Sequence, residues 1–308
     1  MTIEMVDELN GVGPIRVRFW GVRGSIATPG PLTACYGGNT SCVEIRLGNE
    51  VVILDAGTGI RLLGGSLLRE FGDNPVSVSL LISHTHWDHI QGLPFFGPAY
   101  RPQNRVRIYG FREKNAGLEQ VLTDQMESPH FPIPMHKMVA DIEVTEFSDP
   151  VFDLGSFKVS TMRLNHPGGS TGYRLECQGR VVVYLPDNEP VSYLEGLAEE
   201  GGAETSADPN QALVDFVEGA DIAIMDGQYD ASEYPRHVGW GHGCVDDVVR
   251  IAAAGQVSEL VLFHHDPSHD DAWVEDATAS AGLLARSLGS EMRVYAAREG
   301  EEMLVKSN

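Results

Sequence analysis

Apolar and polar positions alternate along the first third of the chain in the rhythm of strands and one helix. β-Branched and alternating runs at 15–20, 41–47 and 51–54 predict strands. Apolar residues at helical spacing over 60–71 predict an amphipathic helix. The largely apolar run 76–82 predicts a buried strand. This order is typical of an α/β fold.

The second half of the chain repeats the alternation. A strand-rich pattern runs from 142 to 184, a helix is predicted at 211–218, and a buried strand at 221–225. Helices are predicted at 245–254 and 271–288, the first ended by Gly255 in a left-handed conformation. Strands in two groups, with helices between and outside them, fit a four-layer αβ/βα sandwich.

The domain organisation follows from this pattern. Residues 1–14 are expected to form an N-terminal tail, and 15–308 a single domain. Near 101–140 four prolines prevent a long helix, and we expect an excursion over the active site. Its candidate pocket residues, with peripheral packing as the alternative, are His130, Phe131, His136 and Met138. The polar segment 199–210 is expected to be an exposed loop.

The segment Ser83-His84-Thr85-His86-Trp87-Asp88-His89, directly after the predicted buried strand, concentrates metal-binding side chains. In an extended segment residues i and i+2 point the same way, so His84 and His86 can bind one ion. Asp88 and His89 lie where the chain turns toward a helix and can face a second ion. Nitrogen and oxygen ligands without thiolate suit zinc, and equally manganese or iron. Two divalent ions ~3.5–4 Å apart would form a hydrolytic centre.

The run His84–His89 resembles the HxHxDH signature of the metallo-β-lactamase-fold hydrolases, and the resemblance extends over about residues 15–305. It implies two divalent metal ions and three further ligands: His166, Asp187 and His264. The resemblance assigns His84, His86 and His166 to one ion. It assigns Asp88, His89 and His264 to the other, with Asp187 bridging both.

The last ligand is ambiguous because two histidines are adjacent after the predicted strand. His264 takes the ligand place when the segment is aligned with the family's Leu-Thr-His-x-Ser-Pro pattern, and His265 is the alternative. The two side chains are expected to point to opposite sides of the chain. His269, in a polar turn, is expected to be solvated.

Three further motifs resemble the same family. Phe19–Ser25 and Tyr36–Ser41 resemble the opening of a bacterial subgroup related to ribonuclease Z and phosphodiesterases. Their glycines would let the backbone approach a ligand closely, with tight turns as the alternative. Asp55, in a segment resembling the family's buried aspartate loop, is expected to accept a hydrogen bond from a ligand imidazole, with a structural cap as the alternative.

His242, in Gly239-Trp240-Gly241-His242-Gly243, resembles the family's Gly-His-Ser/Thr histidine, although Gly243 replaces the hydroxyl residue. The resemblance implies that His242 donates a proton to the leaving oxygen, with a helix-start or packing role as the alternative. An imidazole suits this role because its unperturbed pKa, ~6.5, allows both protonation states near neutrality. Asp226 is the candidate carboxylate that orients it. The predicted catalytic residues are therefore His242, Asp226 and the metal ligand Asp88.

The strongly acidic composition narrows the expected partners. The chain carries 22 Lys and Arg against 44 Asp and Glu, a net charge of −22, and no basic run. Such a surface repels polyanions, so we expect a small-molecule substrate and no long nucleic acid. The charge at the site can differ from the net charge of the chain. Two divalent ions together with Asp88, Asp187 and a bridging hydroxide leave the site with a charge of about +1. A homodimer is the expected assembly.

The location is expected to be cytoplasmic. The sequence contains no stretch of 18 apolar residues, and its start has neither a basic region nor an apolar signal core, so we expect no membrane association and no export. The four cysteines show no CxxC pairing and are expected to be reduced, mostly buried thiols.

Together these features predict a dinuclear metal-dependent hydrolase. The preferred hypothesis is a phosphodiesterase acting on a small phosphodiester, such as a cyclic nucleotide, by attack of a metal-bridging hydroxide. The alternative is hydrolysis of a lactone, thioester, β-lactam or aryl halide at the same centre. A redox role is disfavoured because His86 stands where iron flavoproteins of this fold carry Glu, and the complete ligand set disfavours a non-catalytic binder.

Overall fold

The structure is a computed structural model that describes residues 13–111, 117–147, 149–194 and 208–305. Residues 1–12 of the predicted tail and 199–207 of the predicted loop lie outside the described residues. Within the described ranges the chain forms two mixed β-sheets covered by helices, which confirms the α/β four-layer αβ/βα sandwich.

The first sheet contains seven described strands, with β14 at one edge and β6 at the other. Its strands are β1 (Ile15–Gly21), β2 (Cys42–Leu47), β3 (Glu50–Leu54), β4 (Ser77–Leu81), β5 (Arg105–Gly110), β6 (Asp141–Glu146) and β14 (Glu302–Val305), in the order β14-β1-β2-β3-β4-β5-β6. Strands β3 to β6 run parallel to one another, so their carboxyl ends meet at one edge.

The second sheet also contains seven described strands, in the order β13-β12-β11-β10-β9-β8-β7. They are β7 (Val151–Leu154), β8 (Phe157–Leu164), β9 (Ser170–Cys177), β10 (Arg180–Leu185), β11 (Ile222–Asp226), β12 (Glu259–Phe263) and β13 (Arg293–Ala296). Strands β10 to β13 are parallel, and β8 runs in the same direction because β9 is antiparallel to both β8 and β10.

The longer helices cover the outer faces of the sheets, whereas one short helix carries Asp88 and His89. The helices are α1 (Ile60–Phe71), α2 (Trp87–Ile90), α3 (Leu118–Asp124), α4 (Gln211–Val217), α5 (Val245–Ala254) and α6 (Asp271–Ser287). Helix α1 buries Ile60, Leu63 and Leu67, whose spacing of three and four residues places them on one face against the first sheet. Between the sheets lies an apolar core that includes Phe19 and Phe263, whose ring centroids are 6.4 Å apart.

Two sequence-based expectations differ from the structure here. Residues 105–110, inside the predicted excursion, form β5 of the first sheet, between β4 and the edge strand β6, where Val106 and Ile108 are buried. Gly255 ends helix α5 with φ −76°, so it is not left-handed as predicted; Gln256 takes the positive φ of 54° instead. The Cβ of a residue at 255 would meet Val217 at 2.6 Å, so close packing explains this glycine better than its φ does.

Candidate metal centre

Seven predicted ligands from four parts of the sequence meet beyond the carboxyl ends of β4, β8, β10 and β12. They form two clusters, each with one ligand atom per residue and all of those atoms within 4.8 Å of one another. The first cluster is His84, His86, His166 and Asp187; the second is Asp88, His89, Asp187 and His264. Strand ends bring these residues together because parallel strands place their connecting loops at one edge of a sheet.

Asp187 belongs to both clusters, with one carboxylate oxygen turned toward each. Its Oδ2 lies 3.6 Å from Nε2 of His84 and 3.6 Å from Nε2 of His166. Its Oδ1 lies 3.0 Å from Nε2 of His89 and 3.2 Å from Nε2 of His264. A carboxylate so placed can contribute one oxygen to each of two neighbouring cations.

Two of these ligands are held in strained backbone conformations. Asp187 has φ 40° and His264 has φ 63°, a region that non-glycine residues seldom adopt. Asp55, which contacts His89, has φ 62°. Such conformations cost of order 1–3 kcal/mol each and persist at functional sites where the surrounding structure enforces them.

The donor set fits divalent cations. Two ligands bound at about 2.0–2.1 Å in tetrahedral zinc lie about 3.3–3.4 Å apart, and the distances of Asp187 to the four imidazoles span 3.0–3.6 Å. Nε2 of His84 is buried and has no hydrogen-bond partner in the structure, an arrangement that costs free energy unless a cation binds there.

Metal binding requires neutral imidazoles and ionised carboxylates. Burial by itself lowers the pKa of His89, but Asp187, Asp88 and Asp55 raise it well above its usual range, so a bound cation would displace a proton from that ring. Four other ligands already favour the required forms. Burial lowers the pKa of His84 and of His166, so both rings favour the neutral form. Burial alone would raise the pKa of Asp187, but His264, His89 and His84 outweigh it and hold that pKa well below its usual range. The pKa of Asp88 is lowered in the same way, mainly by His89 and His264 against burial.

Hydrogen bonds from the opposite ring nitrogens orient the ligand imidazoles. Nδ1 of His89 donates to Oδ2 of Asp55 at 2.7 Å, the contact predicted for Asp55. Nδ1 of His166 donates to the Gly241 carbonyl at 2.9 Å, and Nδ1 of His264 donates to Oε1 of Gln228 at 3.1 Å. Each contact leaves Nε2 free to bind a cation and fixes the ring orientation.

Two glycines allow this close packing around the ligand rings. A Cβ on Gly24 would lie 2.4 Å from the His264 ring, and one on Gly241 would lie 2.3 Å from Nδ1 of His166. Gly241 also has φ 88°, which an L side chain rarely adopts. These glycines therefore make room for the metal-binding histidines. The sequence-based expectation is instead that glycines near the site let the backbone approach a bound ligand.

His264, and not His265, enters the centre. Nε2 of His264 lies 3.2 Å from Oδ2 of Asp88, whereas Nε2 of His265 donates to the Ala297 carbonyl at 2.9 Å, within the fold. Burial lowers the pKa of His265 to about 3, so that ring is neutral. His269, expected to be solvated, is only 5% exposed and stacks on Trp273.

His242 lies beside the two clusters and pairs with Asp226. Nδ1 of His242 is 2.8 Å from Oδ2 of Asp226, and the ring stacks on His264 at 5.0 Å between centroids. Burial by itself lowers the pKa of His242, but Asp226, through its charge and hydrogen bond, together with Asp187 and Asp88, raises it to about 9. Cations bound by Asp88 and Asp187 would offset the charges of these carboxylates and would themselves disfavour the imidazolium, so Asp226 would remain as the carboxylate that favours it.

A cleft of about 540 Å³ opens over the centre. It is lined by Ser25, Thr85, His86, Trp87, Asp88, Asp187, His242 and His264. The four candidate pocket residues of the predicted excursion are not in this lining: Met138 is buried against the first sheet, and Phe131 packs edge-on against Phe95 at 5.6 Å.

Sequence reasoning missed three residues that shape the centre. The backbone N–H of Ser25 donates to Oδ2 of Asp88 at 2.8 Å, and Gln228 orients His264 as described above. Glu189 accepts the backbone N–H groups of Gly239 and Gly241, both at 2.7 Å, and so holds the loop that carries His242. The only sequence sign of Glu189 is its place two residues after Asp187, since its partners are about fifty residues away.

Comparison with known proteins identifies the relatives of this chain. The profile of the family described as beta-lactamase superfamily domain matches residues 50–265. A ribonuclease Z from Thermoplasma acidophilum is 26% identical over 296 residues, covering 85% of this chain and 91% of that protein. These matches confirm a metal-dependent hydrolase and favour the phosphodiesterase hypothesis over the lactone, thioester, β-lactam or aryl halide alternative.

Solved structures share the fold over nearly the whole chain. The metallo-beta-lactamase fold protein YhfI from Bacillus subtilis has a TM-score of 0.66 at 21% identity, covering 94% of this chain and 99% of that one. The short form of human tRNase Z has a TM-score of 0.62 at 19% identity, covering 95% of this chain and 100% of that one.

The expectation of a small-molecule substrate and no long nucleic acid is wrong. The Thermoplasma relative, aligned over most of both chains, is named as a ribonuclease. The error lies in the inference from net charge, because −22 is a sum over the whole chain and does not describe the surface at the site. Two divalent cations at the cleft would present positive charge to a phosphate group whatever the remote surface carries.

Among the described residues, no helix is long and apolar enough to cross a bilayer. The cytoplasmic location and the homodimer stay predictions. The family profile covers well over half of the sequence, and the two-sheet fold with its paired histidine and aspartate clusters agrees with it. The chain belongs to the beta-lactamase superfamily.

Proposed function

We propose that this protein is a metal-dependent phosphodiesterase that hydrolyses phosphodiester bonds in RNA. The observation that carries the proposal is the placement of Asp187 between two ligand clusters, with the His242–Asp226 pair at the side of the same cleft. Two cation sites suit in-line displacement at phosphorus, since the attacking and leaving oxygens both carry negative charge. A buried imidazole at the same cleft suits proton transfer.

His84, His86 and His166 would hold one divalent ion and Asp88, His89 and His264 the other, with Asp187 shared between them. Zinc is the metal we propose, because nitrogen-rich sites with carboxylates and no thiolate bind it well. When bound, the ions lower the pKa of water and stabilise negative charge on phosphate oxygens. Proton transfer to the leaving group would be carried out by a side chain of this protein.

His242 would protonate the leaving oxygen. Asp226 holds Nδ1 of the ring at 2.8 Å, so Nε2 is the atom free to donate to a substrate. Burial by itself lowers the pKa of the ring, but Asp226 raises it and so favours the protonated form, which a general acid requires at the start of the reaction. The fixed orientation removes the need to order the ring during the reaction.

RNA as the substrate class is supported by the form of the cleft and by the ribonuclease Z relatives. The cleft is open, and His86 and Trp87 on its rim are exposed, so a linkage within a longer strand can reach the centre. A closed pocket would admit only small esters. The similarity to the ribonuclease Z of Thermoplasma acidophilum extends over most of both proteins.

The test is a substrate panel on protein reconstituted with zinc or manganese. It contains bis-p-nitrophenyl phosphate, an oligoribonucleotide, transfer RNA transcripts with and without extensions at either end, a cyclic nucleotide, a lactone and a thioester. We expect hydrolysis of bis-p-nitrophenyl phosphate and of RNA by the wild type, and loss of both with Asp187→Asn. Turnover of the lactone or thioester without turnover of any phosphodiester would overturn the proposal, and hydrolysis of the cyclic nucleotide alone would overturn the RNA assignment.

A further inference from the structure

Two exposed indole side chains belong to residues that are close in sequence to functional residues of the cleft. Trp87 is 77% exposed, lies between the ligands His86 and Asp88, and lines the cleft. Trp240 is 59% exposed and lies two residues before His242. A ligand that covers an exposed indole removes apolar surface from water, which favours binding.

Each indole has supporting contacts in the fold. Trp87 begins helix α2, and its carbonyl accepts from the Gln91 N–H at 2.7 Å. The rings of Trp240 and His237 lie at 88° to each other with 4.9 Å between centroids, and His237 stacks on Tyr229 with 4.1 Å between centroids. Because the supporting residues are packed, the indoles are presented with little freedom of the backbone, as a stacking surface requires.

The cleft offers a polyanion few ionic contacts besides the metal centre. The residues that line it include no lysine or arginine, and the whole chain has a net charge of −22. Single-stranded nucleic acids bind proteins through basic grooves or through stacking of bases on aromatic rings. Because the described residues that line the cleft include no basic side chain, base stacking is the contribution to nucleic-acid binding that this cleft can make in addition to the metal centre.

We propose that Trp87 and Trp240 form a nucleobase-binding subsite, in which bases of the substrate stack on the two indoles while the linkage to be cleaved occupies the metal centre. The proposal rests on the proposed function and names the part of the substrate that the protein recognises. Stacking accepts any base, so the subsite would select nucleotides over other phosphodiesters without selecting a sequence.

The first experiment compares two substrates with the same leaving group, thymidine 5′-p-nitrophenyl phosphate and methyl p-nitrophenyl phosphate. Trp87→Ala and Trp240→Ala should each lower kcat/KM for the thymidine ester about 5- to 100-fold more than for the methyl ester, the range for loss of one base–aromatic stack. Trp87→Phe, which keeps a ring, should recover most of that difference. Leu283→Ala, at a 63% exposed position on helix α6, is the control for removal of an exposed apolar side chain.

Metal content of every variant is measured, because Trp87 adjoins two ligands. An equal loss for the two esters, or a loss explained by missing metal, would overturn the subsite at that residue. Failure of the wild type to hydrolyse either ester would instead overturn the proposed function, and the subsite would then be judged by binding alone.

Binding is followed as quenching of tryptophan fluorescence by an eight-nucleotide oligouridylate and by an abasic oligomer with the same phosphates. We expect quenching only by the oligomer with bases, at least a fivefold weaker affinity with Trp87→Ala, and a salt dependence of the affinity well below that of a basic groove. Equal affinity for the two oligomers, or a steep loss of affinity with salt, would show that phosphates and not bases are recognised, and would overturn the proposal.

Discussion

His242 and Asp226 form a buried pair, with Nδ1 of the imidazole 2.8 Å from Oδ2 of the carboxylate. Their sequence positions are 16 apart, and strand β11 and the loop before helix α5 bring them together. Asp226 is 1% exposed, so water screens this interaction little. The pair is therefore the feature from which the pH dependence of the reaction can be predicted.

Asp226→Asn should move the alkaline limb of the kcat/KM profile to lower pH. Burial by itself lowers the pKa of His242, but Asp226 raises it through its charge and hydrogen bond, so the carboxylate extends the protonated form of the ring to higher pH. Asparagine keeps the size but not the charge, and burial then lowers that pKa, so the acid form is lost at a lower pH. Asp247→Asn, another buried carboxylate, is the matched control and should leave the limb in place. If the alkaline limb of the kcat/KM profile stays at the same pH in Asp226→Asn, Asp226 has no part in proton transfer.

His242→Ala should retain both metal ions and lose about 10²–10⁴-fold in kcat, the usual size of general-acid catalysis. Esters with p-nitrophenolate as leaving group should lose less than esters with alkoxide leaving groups, because a weakly basic oxygen needs little protonation. The measurement is steady-state kinetics on both ester classes, with metal analysis of each preparation. An equal loss for both classes would assign His242 to substrate positioning, and unchanged rates would leave it a packing role.

His264→Ala and His265→Ala should separate the adjacent histidines. Nε2 of His264 lies among the second cluster, so its removal should cost one metal equivalent and nearly all activity. His265 donates to Ala297 away from the centre, and its variant should keep both metals. Elemental analysis of dialysed protein is the measurement. Metal loss in the His265 variant alone would contradict the geometry.

Glu189→Gln should weaken the centre without removing a ligand. The Glu189 carboxylate accepts the N–H groups of Gly239 and Gly241, and Gly241 in turn accepts from His166. A glutamine would face one of those N–H groups with its own NH₂, so the loop would shift and carry the contacts of His166 and His242 with it. We expect a 10- to 100-fold loss in activity or metal affinity, the usual effect of residues that orient metal ligands.

Tyr234→Phe is the control for Glu189→Gln, because it removes the other donor to the same carboxylate, at 2.8 Å, and leaves both backbone amides in place. Its effect should be clearly smaller. Equal effects of the two variants would mean that the buried carboxylate matters for stability of the fold rather than for the loop, which thermal unfolding of both proteins would show.

Much of the fold could be predicted from local pattern. The predicted helices at 60–71 and 245–254 coincide with α1 and α5, because their apolar spacing already specifies the buried face. Strand β5 was missed because prolines around it suggested irregular structure, whereas its burial comes from pairing with β4 and β6. Strand pairing of this kind depends on the tertiary context and not on the local sequence of the strand.

For the site, the sequence by itself determined which residue types are available and their order: the run from His84 to His89, then His166, Asp187, Asp226 and His242. Only the tertiary structure decided which of His264 and His265 enters the centre, because the positive φ of His264 turns its side chain in a way that alternation along a strand does not predict. Glu189 and Gln228 likewise gain their roles from partners far away in sequence. Hydrogen bonds of that kind are set by how the loops at the ends of two sheets pack together, and no local pattern records them.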